Sequence, residues 1–340
     1  MSRHILTTRG VGRSALLLTC ALLLVGCSTD AVAVSAVGLP SLSLSAPLTT
    51  VACTPSGACV AVGASGATNA PTTTAQIRNR KGVWSALNVP AAPLASFYSG
   101  SCATTTCYFG GAKSSGELLW WINADNGHVG ALSGPAGGLV IRDISCVSNA
   151  DCIVLDVAAN NLARLSHTTK AGATWSAPRT LRWVHASGAA LACIAVTDCF
   201  LASTSPAHVV TLRHTLNGGA TWLAVAVPAT WHSLNSLQCA IECTALVTTA
   251  SGSAIATLGK SNAWHQAALT IDATALSCAQ TTLCLAVGQL GNRTPAMVRW
   301  DPHGAHSVAL TYVPSPLTDV ACQPEVCVAI GVTTVVSLRP

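Results

Sequence analysis

From Leu48 onward the chain is written in short apolar runs that stop at small polar turns and start again. "LTTVAC", "IRDISC" and "LTDVAC" read as short apolar strands. Each passes through a hairpin-sized turn of three to five residues into another apolar strand, such as "CVAVG", "CIVLDV", "CLAVG" or "CVAIG". A polar loop, a third strand, a second turn and a fourth strand follow before the unit begins again. The pattern predicts four strands per unit, in the order A, B, C, D.

Cysteine sets the period of these units. Of 16 Cys, 14 fall in pairs that bracket the A–B turn: Cys53/Cys59, Cys102/Cys107, Cys146/Cys152, Cys193/Cys199, Cys239/Cys243, Cys278/Cys284 and Cys322/Cys327. The first members lie 49, 44, 47, 46, 39 and 44 residues apart, a period typical of propellers and other repeat arrays. Facing strands near a hairpin end bring Cα atoms to about 4.5–5.5 Å, within reach of a disulfide. Structural zinc usually needs a second close ligand pair, and none adjoins these, so each pair is read as a structural disulfide and no metal is expected. The fold expected is all-β: a seven-bladed β-propeller of four-stranded blades with one disulfide in each. A pair of open β-sandwiches is the alternative. In a propeller the A–B and C–D turns share one face, so the disulfides are expected together on that face.

A second column keeps step with the first. The C–D turn carries Gly82, Gly127, Gly172, Gly219, Asn262 and Gly304, the two residue types most tolerant of positive φ. Two or three residues later stand Trp84, Val129, Trp175, Trp222, Trp264 and His306. "GATW" and "GGATW" resemble the Asp-box, the S-x-D-x-G-x-T-W turn of sialidases and other BNR-repeat propellers. The resemblance implies a C–D hairpin whose Asp binds backbone N–H groups and whose Trp packs into the blade. The Asp position holds Arg80, Asp125, Lys170, Asn217, Lys260 and Pro302, so one box alone keeps its carboxylate. The seventh unit ends one strand short at "TTVVSLRP", and "AVAVSAVGLP", ahead of the first unit, is expected to supply the missing strand and close the ring.

The N-terminus reads as an export signal: Arg3, Arg9 and Arg13, then an apolar stretch over 14–25 that is too short to span a bilayer. It ends in Leu24-Val25-Gly26-Cys27, which resembles the lipobox of bacterial lipoproteins and implies lipid on Cys27. The domains expected are a signal peptide over 1–26, a lipidated tether and closing strand over 27–47, and the propeller over 48–340. The protein is then exported and anchored to the outer face of the cell membrane, with the bilayer as its first partner. If "AVAVSAVG" starts on the disulfide face, that face lies against the membrane. Cleavage leaves 14 basic against 12 acidic residues, too weak a charge to argue for nucleic acid.

Function is less legible. The loops opposite the disulfide turns form the usual ligand face, and two of them bring Arg182, Trp183, His185, Trp231 and His232 to adjacent junctions. Exposed Trp beside His and Arg suits a sugar ring or an extended polymer, so these five residues are the ligand-binding candidates. The protein expected is a monomeric binding or scaffold propeller that contacts a glycan or an envelope protein. The alternative is a glycoside hydrolase of sialidase-like fold, drawing on Asp143, Asp272 and Asp319, with Glu117 opening a C strand. No two of these carboxyls are placed together by spacing, no catalytic residue is assigned, and no motif calls for a cofactor.

Overall fold

The computed structural model describes residues 47–338 apart from 65–72, 91, 93–94, 241, 260, 281–282, 302, 309, 311–312, 314 and 333. The signal peptide, Cys27 and the closing strand expected before residue 47 lie outside the described residues. Seven antiparallel sheets follow one another along the chain, over 48–87, 96–131, 138–180, 189–225, 231–268, 272–307 and 317–338, numbered here as blades 1 to 7. Blades 1 to 6 have four strands in sequence order, and blade 7 has three among the described residues. The protein is a seven-bladed β-propeller.

All seven cysteine pairs are disulfides: Cys53–Cys59, Cys102–Cys107, Cys146–Cys152, Cys193–Cys199, Cys239–Cys243, Cys278–Cys284 and Cys322–Cys327. In each, the two residues face one another in register between strands A and B, with Cα atoms 3.9–4.1 Å apart. The second member of every pair is buried: Cys59, Cys107, Cys152, Cys199, Cys243, Cys284 and Cys327. The reason is that each of them belongs to a B strand or its edge, and the neighbouring blades cover both faces of that strand. The first members divide. Cys53 and Cys322 are buried, whereas Cys102, Cys146, Cys193, Cys239 and Cys278 are half-buried on the inner A strands.

The Gly/Asn column behaves as its chemistry requires, with φ of +56° to +130° at all six positions. The single carboxylate of the Asp-box column does something else. Asp125 reaches across to Arg80 in the matching turn of blade 1, 2.9 Å away. Side chains two residues earlier accept the turn N–H groups in blades 2 to 4, as when Thr168 Oγ1 accepts from Lys170 and Gly172.

The unbroken apolar B strands are explained by where their two faces go. Val60 and Val62 enter the core between blades 1 and 2, whereas Cys59 and Ala61 enter the core between blades 7 and 1. The same split repeats around the ring and gives a hydrophobic cluster at each of the seven junctions. A chain with 50% apolar and 9% charged residues is suited to this plan, because a B strand has no face to spare for water. The Trp column serves the same junctions. Trp175 donates its indole N–H to the Ser133 carbonyl of blade 2's exit, and Trp264 donates to Ala226 of blade 4's exit, each at 2.9 Å.

The A strands form the inner ring and are tied by side chains that bond the next blade's backbone. Ser101, Ser145 and Ser277 accept from the N–H of Cys146, Cys193 and Cys322, one blade on. Gln238 does the same for Cys278 at 2.6 Å. Blade 7 meets blade 1 through Asp319 Oδ2 to the Val51 N–H (2.9 Å), Gln323 Nε2 to the Cys53 carbonyl (3.0 Å) and the Leu48 N–H to the Val332 carbonyl (3.2 Å). The last blade is thus sewn to the first by the described residues themselves.

Candidate functional site

The A strands enclose a central cavity of about 520 Å³ that runs down to the ring of disulfides. Its mouth is shaped by a repeated irregularity. Six of the seven A strands carry a β-bulge at one position, four residues before the first Cys, and the extra residues are Thr49, Tyr98, Arg142, Asn235, Thr274 and Thr318. All six line the cavity, and all six are polar or amphipathic. A bulge drops one residue out of the ladder and re-aims its side chain, a device that recurs beside binding sites. Blade 4 has Ala189 at this position and no bulge there.

The partner strand makes room for the bulge. Opposite it in blades 1, 2, 6 and 7 stands a glycine near the end of strand B: Gly63, Gly111, Gly288 and Gly331. The A-strand backbone approaches so closely that a Cβ on Gly111 would lie 1.9 Å from the Ser96 carbonyl oxygen. Gly111→Ala should therefore push the start of strand A outward and cost about 1–3 kcal/mol, the usual range for overpacking. Thermal denaturation checks the cost, and altered near-ultraviolet circular dichroism would report the displaced Tyr98.

Below the mouth, the two channel carboxyls are occupied. Asp143 accepts from the Ser99 hydroxyl (2.6 Å), the Ile144 N–H (2.8 Å) and the Leu191 N–H (2.7 Å), and so ties blades 2, 3 and 4 together. Asp319 accepts from Val51 and Val320. Burial pushes both acids up, Asp319 to about 7, against the lowering effect of these N–H groups. Asp272 is exposed at the start of its strand. None of the three is brought to another as a catalytic pair by contact. The carboxyls that do meet are Glu117 of blade 2 and Asp156 of blade 3, which interact beside Arg164. That pair is wedged between blades: Asp156 is fully buried and held by Arg164 Nε and Nη2 at 2.7 and 2.8 Å.

The five loop residues do not form one site. Trp231 is buried at 2% exposure in the junction of blades 4 and 5, its ring 4.9 Å from that of Trp264 and its N–H on Gln266 Oε1 (2.9 Å). Trp183 packs in the junction of blades 3 and 4, edge-on to Trp222 at 5.7 Å with Arg213 over its face at 4.5 Å. Both indoles, expected to be exposed, are structural, because wide wedges between twisted blades take up the largest side chains. Arg182, His185 and His232 remain exposed, with the His232 ring 6.3 Å from His208. Among the described residues there is no cluster of His, Cys, Asp or Glu suited to a metal ion.

No protein-family model matches the chain, and no curated protein matches it. Solved structures do. YCF48 bound to a D1 peptide superposes with a TM-score of 0.63 over 92% of this chain and 96% of that one, at 14% identity. Virginiamycin B lyase from Staphylococcus aureus gives 0.61 over 86% and 94% at 9% identity. A chain of the mitotic checkpoint complex gives 0.62 over the full length of both at 8% identity. At these identities the likeness is one of fold, and the chemistry has to be argued from the channel mouth. The signal for it stood in the sequence: read four residues ahead of each first Cys, the column is Thr, Tyr, Arg, Ala, Asn, Thr, Thr.

Proposed function

We propose that this protein is a binding propeller that receives a segment of a protein partner at the mouth of its channel. The observation that carries the reading is the set of six bulges, which spend backbone pairing to turn Thr, Asn, Tyr and Arg side chains toward one opening. A glycan is the weaker partner, because, of the indoles that would stack on sugar rings, Trp231 is buried and half-buried Trp183 has Arg213 over its face. Glycoside hydrolysis is weaker still, since Asp143 and Asp319 are engaged with backbone N–H groups. That YCF48 was solved with a peptide, and that another similar chain sits in a multiprotein complex, fits this class of work.

On this reading Cys27 carries lipid, the propeller stands on the outer face of the cell membrane, and the partner is an envelope protein. The sequence features that support it are the basic start, the short apolar stretch and Leu24-Val25-Gly26-Cys27. Two measurements test it. Fed labelled palmitate, cells should label the wild type and not Cys27→Ala. A photo-crosslinking residue at Thr318, in the channel mouth, should trap a discrete protein, while one at Val83, 59% exposed in a C–D turn, should not. Equal, diffuse products from both positions would refute the channel mouth as the docking face.

A further inference from the structure

Among the described residues Arg142 is the one basic side chain that lines the channel. Other arginines of the fold are engaged: Arg164 with Asp156, Arg80 with Asp125, Arg213 over Trp183. Arg142 lies over the ring of Tyr98, 4.8 Å from its centroid, and Tyr98 is the bulged residue of the neighbouring blade. The phenol forms a flat shelf on that side. On the other side the ring position is Ala189, too short to cover the guanidinium. Among the described residues no carboxylate or carbonyl accepts a hydrogen bond from Arg142, and its Nε is shut off from water without a partner. With Nε covered, an acceptor arriving through the channel can meet only the two terminal Nη groups of the fork. The acceptor that matches a planar fork of N–H donors is a carboxylate, which takes two parallel bonds.

The geometry points to a carboxylate-bearing peptide as the ligand, its acid docked on Arg142 and its backbone lying over Asn235, Thr274 and Thr318. This rests on the proposed peptide-binding function and gives it a chemistry. Hydroxyl and amide side chains offer both donors and acceptors, as peptide groups require. The cavity of about 520 Å³ has the size of a small-ligand site, so it admits the end or a side chain of a peptide rather than a folded domain.

Titration of the full-length protein, labelled with ¹⁵N at arginine Nε, tests this directly. The probes are N-acetyl-glycyl-glycine with a free carboxylate, the same peptide as its amide, N-acetyl-aspartate methylamide, and glucuronate. A saturable shift of the Arg142 Nε–H signal with the free peptide and not with the amide supports a terminal carboxylate. A shift with the aspartate derivative alone supports a side-chain carboxylate. Arg142→Gln should weaken either by about tenfold or more, and Arg142→Lys should recover only part, because the fork is lost. Should Arg142→Gln fail to fold, Tyr98→Leu removes the shelf and should also weaken binding. No shift with either peptide, or tighter binding of glucuronate than of both, overturns the inference. Crosslinking from Thr318 that survives in Arg142→Gln, with no probe shifting the wild-type Arg142 signal, would sink the carboxylate and leave the channel-mouth function standing.

Discussion

Reduction of the seven disulfides should unfold the protein at room temperature. Each bridge closes a loop with a sequence separation of only four to six residues. In the loop-entropy account a loop that small still restricts the unfolded chain by about 2 kcal/mol. Seven together reach on the order of 15 kcal/mol, as much as the entire net stability of an ordinary domain. The location of the bridges adds to this. Every one joins strand A to strand B at the end of the inner ring where the Ser and Gln side chains bond the next blade's Cys backbone. A frayed hairpin end would release that bond as well, and loss would pass from blade to blade. Far-ultraviolet circular dichroism before and after reduction measures the effect, with thiol titration confirming 14 released sulfhydryls from the seven bridges. Because Cys107, Cys199, Cys243, Cys284 and Cys327 are buried with Cys59 and Cys152, the reductant should act slowly on the native protein and faster in mild denaturant. A reduced protein that melts cooperatively within a few degrees of the oxidised one would show that the inter-blade cores suffice. Removing one bridge, as in Cys146→Ala with Cys152→Ala, should cost about 2 kcal/mol.

Breaking the buried group between blades 2 and 3 should have the next largest effect. Arg164 pairs through two bonds with a fully buried Asp156, and its Nη1 also holds the Ala136 carbonyl of the connecting loop at 3.0 Å. Arg164→Met leaves a charge without compensation and should cost about 3–5 kcal/mol. For a domain of this size that lowers the melting temperature by about 6–12 °C. The loss should shrink as pH is lowered, since burial already pushes the Asp156 carboxyl up and removing Arg164 takes away the charge that opposes this.

Glu117 gives the same group an unusual pH dependence. Burial, then the charge of Asp156, raises the Glu117 carboxyl from 4.5 to about 8. Between those values the folded protein holds a proton that the unfolded chain has lost, so stability falls as pH rises. The stabilising contribution is complete below about pH 4.5 and is gone above 8. Asp319, raised to about 7 chiefly by burial, acts with the same sign over a narrower window. The wild type should therefore melt higher at pH 5 than at pH 8.5. Glu117→Gln keeps a donor toward Asp156 without a titrating proton and should flatten the profile, leaving the shallower slope due to Asp319. A wild type that is more stable at pH 8.5 would contradict the assignment.

Much of the fold was legible because its constraints are local. Two cysteines a turn apart with an apolar run after the second report on one hairpin, and a Gly or Asn at the C–D turn reports on another. Seven cysteine pairs in step with six Gly or Asn turns state the number of blades without any knowledge of how blades pack. The disulfides and the positive φ values followed the sequence reading for that reason. The column ahead of each first Cys was just as visible, but its meaning depends on a bulge. Six polar or amphipathic residues at one offset look like ordinary solvent-facing positions until the bulge, faced by a glycine in four of the six blades, turns them toward the axis.

The Trp residues and the acids were misread from sequence for the opposite reason. Whether Trp183 or Trp231 faces water is decided by the neighbouring blade, which is some 40 residues away in the chain. The burial of each second cysteine is set in the same way, by the blade that covers its B strand. Asp143 and Asp319 looked available for chemistry, and the backbone N–H groups that occupy them come from adjacent inner strands. Glu117 and Asp156 belong to different blades and carry no shared spacing, so only the closed ring could bring them together. The sequence by itself determined the unit: its strands, its turns, its bridge and how many times it recurs. The tertiary structure decided which side chains remain free to act, because in a propeller each residue's surroundings are set by the next repeat as much as by its own.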